Sequence, residues 1–302
     1  MIRDIYRKML HLTDPFIDGK NIFDREWELC ILLDACRVDA LEASISDLSV
    51  PDESEINVSS IQSVGTASEE WMKQTFSTDS AALSETKYIT GNPHTAHVDK
   101  TDQFAAVDEV WRYGWDDELG TVPPRAITER AVAAGRENGA DRILVHYMQP
   151  HTPYLARANN GLQRSGEVYN TQSRSVAAED YFQKRTKEKD NPIDQLRCGE
   201  IEKETVWEAY IENLQIVLDE VSDLLTNITA ETAVITADHG ELFGEWGLYE
   251  HPFHMPVPEL RSVPWVSTTA VDTGTLEPSL SPQQAEIDDD VDRRLRDLGY
   301  TE

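Results

Sequence analysis

Cations are scarce in this chain. Lys and Arg total 27 against 56 Asp and Glu, only nine of the cations are Lys, and the formal net charge is −29 over 302 residues. A duplex nucleic acid partner is not expected of such a chain, because phosphate binding needs clustered cations. An acidic, lysine-poor surface on an otherwise ordinary globular composition fits a salt-adapted cytosol. The other reading is a self-repelling anionic protein in ordinary salt. Cysteine is also sparse. Cys30, Cys36 and Cys198 form neither an even set nor a close motif, which argues against a disulfide framework and for a reducing compartment. No apolar stretch approaches the ~20 residues of a spanning helix, so no transmembrane segment is expected. The amphipathic segment Met1 to Leu12 is too short and polar for a signal peptide. Internal repeats are absent too. What remains is a soluble, cytoplasmic chain long enough to bury a large core.

Strand and helix patterns alternate along it. Leu29–Leu33 is an apolar run that reads as a buried strand, with a helix from about Arg37. Ile56–Val64 and Lys87–Thr90 read as strands, with a short helix Ser68–Phe76 between them. Phe104–Trp111 is a strand or a short mixed segment. Pro123-Pro124 opens a helix to about Asn138, and Arg142–Tyr147 is a strand. The clearest helix carries Trp207, Tyr210, Ile211, Leu214, Val217, Leu218, Val221, Leu224 and Leu225 at three- and four-residue spacing. The strand Thr232–Thr236 follows, then one near Val263–Val266 and a short helix Val291–Leu298. This order predicts an α/β fold, a mostly parallel central sheet with helices on both faces. A single domain over 1–302 is expected, with a polar insertion or lid at about 157–198 and a loose acidic linker at about 274–290.

The chemistry concentrates at strand ends. Thr236-Ala237-Asp238-His239-Gly240-Glu241 follows the apolar run Ala233-Val234-Ile235. An acid and an imidazole at the carboxyl end of a buried strand suit a divalent ion, and His251 returns nearby after a glycine-bearing loop. Asp34 ends another buried strand, so two strands deliver candidate ligands to one sheet edge. Asp34 either ligates or caps the following helix, where Arg37 and Asp39 suggest a local ion pair. Ser68, after Gly65-Thr66-Ala67, sits at a helix start. It is either an ordinary N-cap or a hydroxyl nucleophile beside an anion-attracting helix terminus. His146-Tyr147-Met148-Gln149-Pro150-His151-Thr152-Pro153-Tyr154 places two imidazoles around a loop stiffened by two prolines. His151 is the one that such a loop can aim at a substrate oxygen, while His146 reads as a satisfied structural residue.

Together these pieces resemble the sulfatase-like branch of the alkaline phosphatase superfamily, with an acidic composition fitting a haloarchaeal member. Asp34-x-x-Arg37-x-Asp39, Gln149-Pro150-His151-Thr152-Pro153-Tyr154, Asp238-His239-Gly240-Glu241 with Gly244-Glu245-x-Gly247, and Leu295-Arg296-Asp297-Leu298-Gly299-Tyr300 occur in family order over nearly the whole chain. The resemblance implies an alkaline phosphatase-like fold. It implies a metal held by Asp34, Asp238 and His239, and a nucleophile at Ser68, with Thr66 the second choice. His151 and His251 would contact the transferred anionic group, and Arg37 would be structural. The C/S-x-P-x-R motif of sulfatases proper is missing, which points to phosphate ester chemistry with a plain hydroxyl. The lysine that the family often places downstream of the metal pair is missing as well, since none follows Lys203, and His251 could take that role.

The expected reaction is therefore metal-dependent hydrolysis or transfer of a phosphate (or sulfate) ester through a covalent Ser/Thr intermediate. One divalent ion is expected, Mn²⁺, Mg²⁺ or Ca²⁺ ahead of Zn²⁺, with an anionic small molecule or glycan as substrate. The alternatives are a non-catalytic relative that binds an anionic ligand or glycan, and a two-metal phosphosugar mutase. Oligomeric state is not legible.

Overall fold

The computed structural model describes residues 19–51, 56–78, 81–137, 140–158, 161–165, 191–282 and 290–300. The expectations for Met1 to Leu12, for 166–190 of the insertion and for 283–289 of the linker lie outside the described residues.

Strands β1 (Leu29–Leu33), β2 (Asn57–Gln62), β3 (Thr86–Thr90), β4 (Ala106–Glu109), β5 (Arg142–Tyr147), β8 (Ala230–Thr236) and β11 (Ser262–Ala270) form one sheet, in the order β2-β11-β8-β1-β5-β3-β4. β1 runs parallel to β5 and β8, and β3 runs parallel to β5 and β4. β11 is antiparallel to both β8 and β2. The central strands are buried on both faces, which is why β1 and β3 are covered along their whole length and why β1 reads as an unbroken apolar run. The edge strand β2 is mostly exposed.

Helices α1 (Val38–Ser44), α2 (Ser68–Thr75), α3 (Pro124–Arg136), α4 (Pro192–Cys198), α5 (Lys203–Leu225), α6 (Pro258–Arg261) and α7 (Val291–Asp297) flank the sheet. The strand pleat sends successive side chains to opposite faces. Tyr147 turns to α3, its hydroxyl 2.9 Å from Thr128 Oγ1. His146 turns the other way, against Trp71 of α2 and Tyr88 of β3. Helices therefore cover both faces, as expected. The core runs continuously from Ile22 to Ala270, with α5 supplying its apolar stripe from Val206 to Leu225.

Part of the polar insertion has regular structure. An antiparallel hairpin, β6 (Leu155–Ala158) with β7 (Gly161–Arg164), opens it, and α4 closes it. A second short hairpin pairs β9 (Leu242–Phe243) with β10 (Tyr249–Glu250) just beyond the Asp238-His239 pair.

Candidate metal centre

The register of the parallel strands brings the chemistry together. Leu32 of β1 pairs with His146 of β5 and with Thr236 of β8, and Thr90 of β3 pairs with His146. Residues just past these positions must therefore meet at one sheet edge, and Asp34, Asn92 and Asp238 do. Ser68 arrives from the loop after edge strand β2.

Ser68 is the hub. Its Oγ lies 2.7 Å from Asp238 Oδ2, 3.2 Å from Asp34 Oδ2, 3.3 Å from His239 Nε2 and 3.2 Å from the Tyr300 hydroxyl. The helix cap is Ala67, without a side-chain cap bond, so Ser68 is not an ordinary N-cap. Nor does Asp34 cap α1, whose N-cap is Arg37. Thr66, the second choice for nucleophile, points elsewhere. Its hydroxyl donates to Glu70 Oε2 at 2.8 Å, and Glu70 also accepts from the Thr66 N–H.

Asp34, Asp238 and His239 are fully buried. One oxygen of Asp34, Oδ2, accepts from Asn92 Nδ2 at 2.9 Å and from the Tyr300 hydroxyl at 3.0 Å; the other, Oδ1, has no partner. Asp238 Oδ1 accepts from the N–H groups of Ala35 and His239, which leaves Oδ2 facing Ser68. His239 Nδ1 lies 2.7 Å from its neighbour's carbonyl, Gly240 O. A proton on Nδ1 makes that bond, so Nε2 carries the lone pair, 3.6 Å from Asp34 Oδ1 and 3.5 Å from Asp238 Oδ2.

Sequence reasoning took His146 for a satisfied residue. The structure differs. Its Nδ1 lies 2.9 Å from the Tyr88 hydroxyl, but its buried Nε2 has no partner and faces Asp238 Oδ2 at 3.7 Å and Asp34 Oδ2 at 3.9 Å.

Electrostatics asks for a cation here. Burial, and then the charge of Asp238, push the Asp34 carboxyl well above its ordinary range. Burial holds His146 down to about 4 and keeps His239 below its ordinary value, so both imidazoles are neutral ligands at pH 7. Among the described residues no Lys or Arg contacts either carboxylate. Two buried acids without a cation are costly, and an unpartnered carboxylate oxygen beside an unpartnered imidazole nitrogen marks where one fits. Donors on one ion at ~2.1 Å bonds stand about 3–4 Å apart, the range of the separations above. These residues fit a divalent metal.

A second group adjoins it. His151, Glu241 and His251 bring ligand-type atoms within 4.8 Å of one another. His251 Nδ1 lies 3.3 Å from Glu241 Oε2. Burial opposes charge on His251, but Glu241 overrides it and the imidazole sits above its ordinary value, while Glu241 sits below its own. His151 is held at about 3 by burial and by His251. Its Nδ1 contacts Thr152 O at 2.7 Å, so a neutral His151 presents a lone pair at Nε2. Asn213 of α5 fixes this loop, donating to the carbonyls of Pro150 and His151.

Arg37 touches no ligand-type side-chain atom of either group. Its guanidinium grips Asp39 with two bonds, at 2.9 and 2.7 Å, and reaches Glu245 at 3.0 Å and Glu241 O at 3.1 Å. It ties the β1 loop to the segment after Asp238, a structural role. Sequence reasoning missed Asn92, His94, His146, Glu241 and Tyr300 as site residues. His94 packs edge-on against Tyr300 with ring centroids 4.5 Å apart. The signal available was a polar residue inside or just past a fully buried strand, which His146 and Asn92 both carry.

No known family model and no curated protein matches the chain by sequence. By shape it is similar to solved structures. The soluble domain of lipooligosaccharide phosphoethanolamine transferase A from Neisseria meningitidis overlays with a TM-score of 0.51 at 17% identity, covering 80% of this chain and 75% of that one. The integral membrane form of that transferase overlays with a TM-score of 0.53 at 13% identity, covering 81% of this chain and 48% of that one. The C-terminal periplasmic domain of a phosphoethanolamine transferase from Campylobacter jejuni gives 0.48 at 13% identity, covering 83% of each chain. The fold expected from the motifs, a mostly parallel alkaline phosphatase-like sheet between helices, is the fold observed.

Proposed function

We propose that this chain is a metal-dependent enzyme that hydrolyses or transfers phosphate (or sulfate) esters through a covalent intermediate on Ser68. One observation carries the reading. A buried hydroxyl lies within 3.3 Å of two carboxylates and an imidazole delivered from the ends of two strands, β1 and β8. Phosphoethanolamine transfer, the activity in the names of the fold neighbours, is one case of this chemistry.

Asp34, Asp238, His239 and Ser68 would hold a divalent ion, which when bound would lower the pKa of the serine hydroxyl and stabilise an anionic ester. Ser68 Oγ attacks phosphorus in line. The new O–P bond forms as the bond to the leaving oxygen breaks, and Asp238 is placed to take the serine proton. His251, whose proton Glu241 helps to hold, holds the anionic group and gives the leaving oxygen its proton. His151 Nε2 then accepts a proton from the water or alcohol that displaces Ser68, and Asp238 returns its proton to the departing serine oxygen. That last choice separates hydrolase from transferase. His146 adds a second imidazole facing the carboxylates, which favours Mn²⁺ or Zn²⁺ over Mg²⁺ and Ca²⁺.

The test is a covalent trap. An aryl phosphodiester incubated with the protein and Mn²⁺ or Zn²⁺, quenched in acid, gives a phosphoryl adduct on the peptide that contains Ser68. Absence of the adduct, together with unchanged turnover in Ser68→Ala, overturns the proposal.

The grouping of His151, Glu241 and His251 favours one second reading, a two-ion phosphosugar mutase. Two tightly bound ions per chain, with isomerisation of a sugar phosphate, would select it. Among the described residues no helix is long and apolar enough to cross a membrane. With the −29 charge, we place the enzyme in a salt-adapted cytoplasm, acting on an anionic small molecule or glycan.

A further inference from the structure

The segment Leu295–Tyr300 has no role in the reaction described above. Its geometry gives it one. Leu295 and Leu298 are each 1% exposed and anchor α7. Arg294 stacks on Trp115, and Thr152 of the proline-rich loop donates to Leu298 O at 3.4 Å. The helix ends in paired reverse bonds, Gly299 N to Arg296 O at 3.0 Å and Tyr300 N to Leu295 O at 2.9 Å. That closure needs a left-handed residue at the penultimate position, and Gly299 has φ 85°. The turn therefore aims the next side chain, Tyr300, back across the sheet edge.

Tyr300 lands among the site residues. Its ring stacks on His151 at 4.7 Å and 14° and meets His94 edge-on. Its hydroxyl reaches Asp34 Oδ2 at 3.0 Å, beside the amide of Asn92 on the same oxygen. At that separation the phenol O–H donates to the carboxylate oxygen. With Asn92, Tyr300 and, at 3.2 Å, Ser68 all gathered on Oδ2, Asp34 is turned so that its unpartnered Oδ1 faces His239 Nε2. A ligating carboxylate fixed by hydrogen bonds on its second oxygen is how outer partners tune an ion site.

We propose that Tyr300 is a positioning residue of the metal centre: with Asn92 it fixes Asp34 for the ion, and its ring fixes His151. The inference rests on the metal-dependent reading above. It makes the Leu-x-x-Leu-Gly-Tyr segment part of the active site rather than a surface ending.

Tyr300→Phe in the full chain tests it, since the ring and its stacking stay and only the donor goes. The readout is affinity for Mn²⁺ and for Zn²⁺, measured by competition with a chelating dye. The site scored is the one abolished by Asp238→Asn. Expected is a tenfold to hundredfold weaker ion, the range for loss of such a partner, with the thermal midpoint in chelator unchanged. Gly299→Val, which strains the turn, should weaken the ion in the same direction. Equal affinity in wild type and Tyr300→Phe overturns the inference alone. Equal affinity with faster turnover of an aryl phosphate also overturns it and makes the phenol a plug in the leaving-group space. A wild type that binds neither ion overturns this inference and the proposed function together.

Discussion

Ser68 Oγ stands 2.7 Å from Asp238 Oδ2, although 170 residues separate them. The pair joins the loop after the outermost strand to the loop after a central one. It puts the Ser68 hydroxyl within proton-transfer distance of a carboxylate that also faces His239 and His146. Ser68→Ala should cut turnover of an aryl phosphodiester by roughly 10⁴–10⁶, the scale for loss of a nucleophile acting with its partners. Bound ion should stay within a few-fold of wild type, because three other ligands remain. Loss of the ion along with turnover would make Ser68 chiefly a ligand.

Asp34 and Asp238 crowd two buried acids together, so an ion should act as a structural brace as well as a cofactor. Saturating Mn²⁺ or Zn²⁺ at 100 times its Kd should stabilise the fold by about 2.7 kcal/mol. Asp238→Asn should lose that gain while unfolding no earlier than wild type in chelator, since the like-charge repulsion at Asp34 is relieved. Differential scanning calorimetry with and without chelator reads both effects. Equal ion-induced stabilisation in the variant would move the metal elsewhere.

Glu245 gives the fold an acid limit. Burial raises its pKa, but Lys203, the backbone N–H of Phe243 and Arg37 outweigh burial and bring it from 4.5 to about 2. A carboxyl depressed on folding stabilises above its unfolded pKa, and that contribution fades as pH falls through the folded value. The stability gap between wild type and Glu245→Gln should be flat above pH 5 and shrink between 4.5 and 2 in urea titrations. A gap that widens with acid would contradict the pairing.

Gly240 has no room for a side chain. A Cβ there would lie 1.9 Å from Glu259 O, on the backbone of α6 itself, and the Gly240 N–H already bonds Leu260 O at 2.9 Å. Gly240→Ala should cost about 1–3 kcal/mol or more, the range for overpacking, and should displace the neighbouring His239. Reduced stability and weaker ion binding should appear together. A variant as stable as wild type would show that the loop yields freely.

Strand-end acids were legible in the sequence because parallel strands covered on both faces read as apolar runs, so Asp34 and Asp238 stand out where the runs stop. Ser68 was ambiguous, because a hydroxyl followed by Glu69 and Glu70 looks like a helix cap; the strand register and the loop path decide. His146 was misjudged for a related reason. Its partners lie sideways, on β1 and β3, and only the sheet order brings them beside it. The run Gly91-Asn92-Pro93 looks locally like a plain turn, and Tyr300 like part of a motif without a task. Their roles depend on contacts across 58 and 266 residues of chain, which no local pattern encodes.

The sheet order has one more consequence. Asp34, Asp238 and His239 hang from interior strands, whereas Ser68 follows β2, hydrogen-bonded to a neighbour on one side alone. Fraying at that rim would withdraw the Ser68 hydroxyl and leave the cluster of acids and imidazole standing; under the proposed function that cluster is the cation cage. Loading and reactivity are thus mechanically separable, and hydrogen exchange should find the rim opening far more often than the cage.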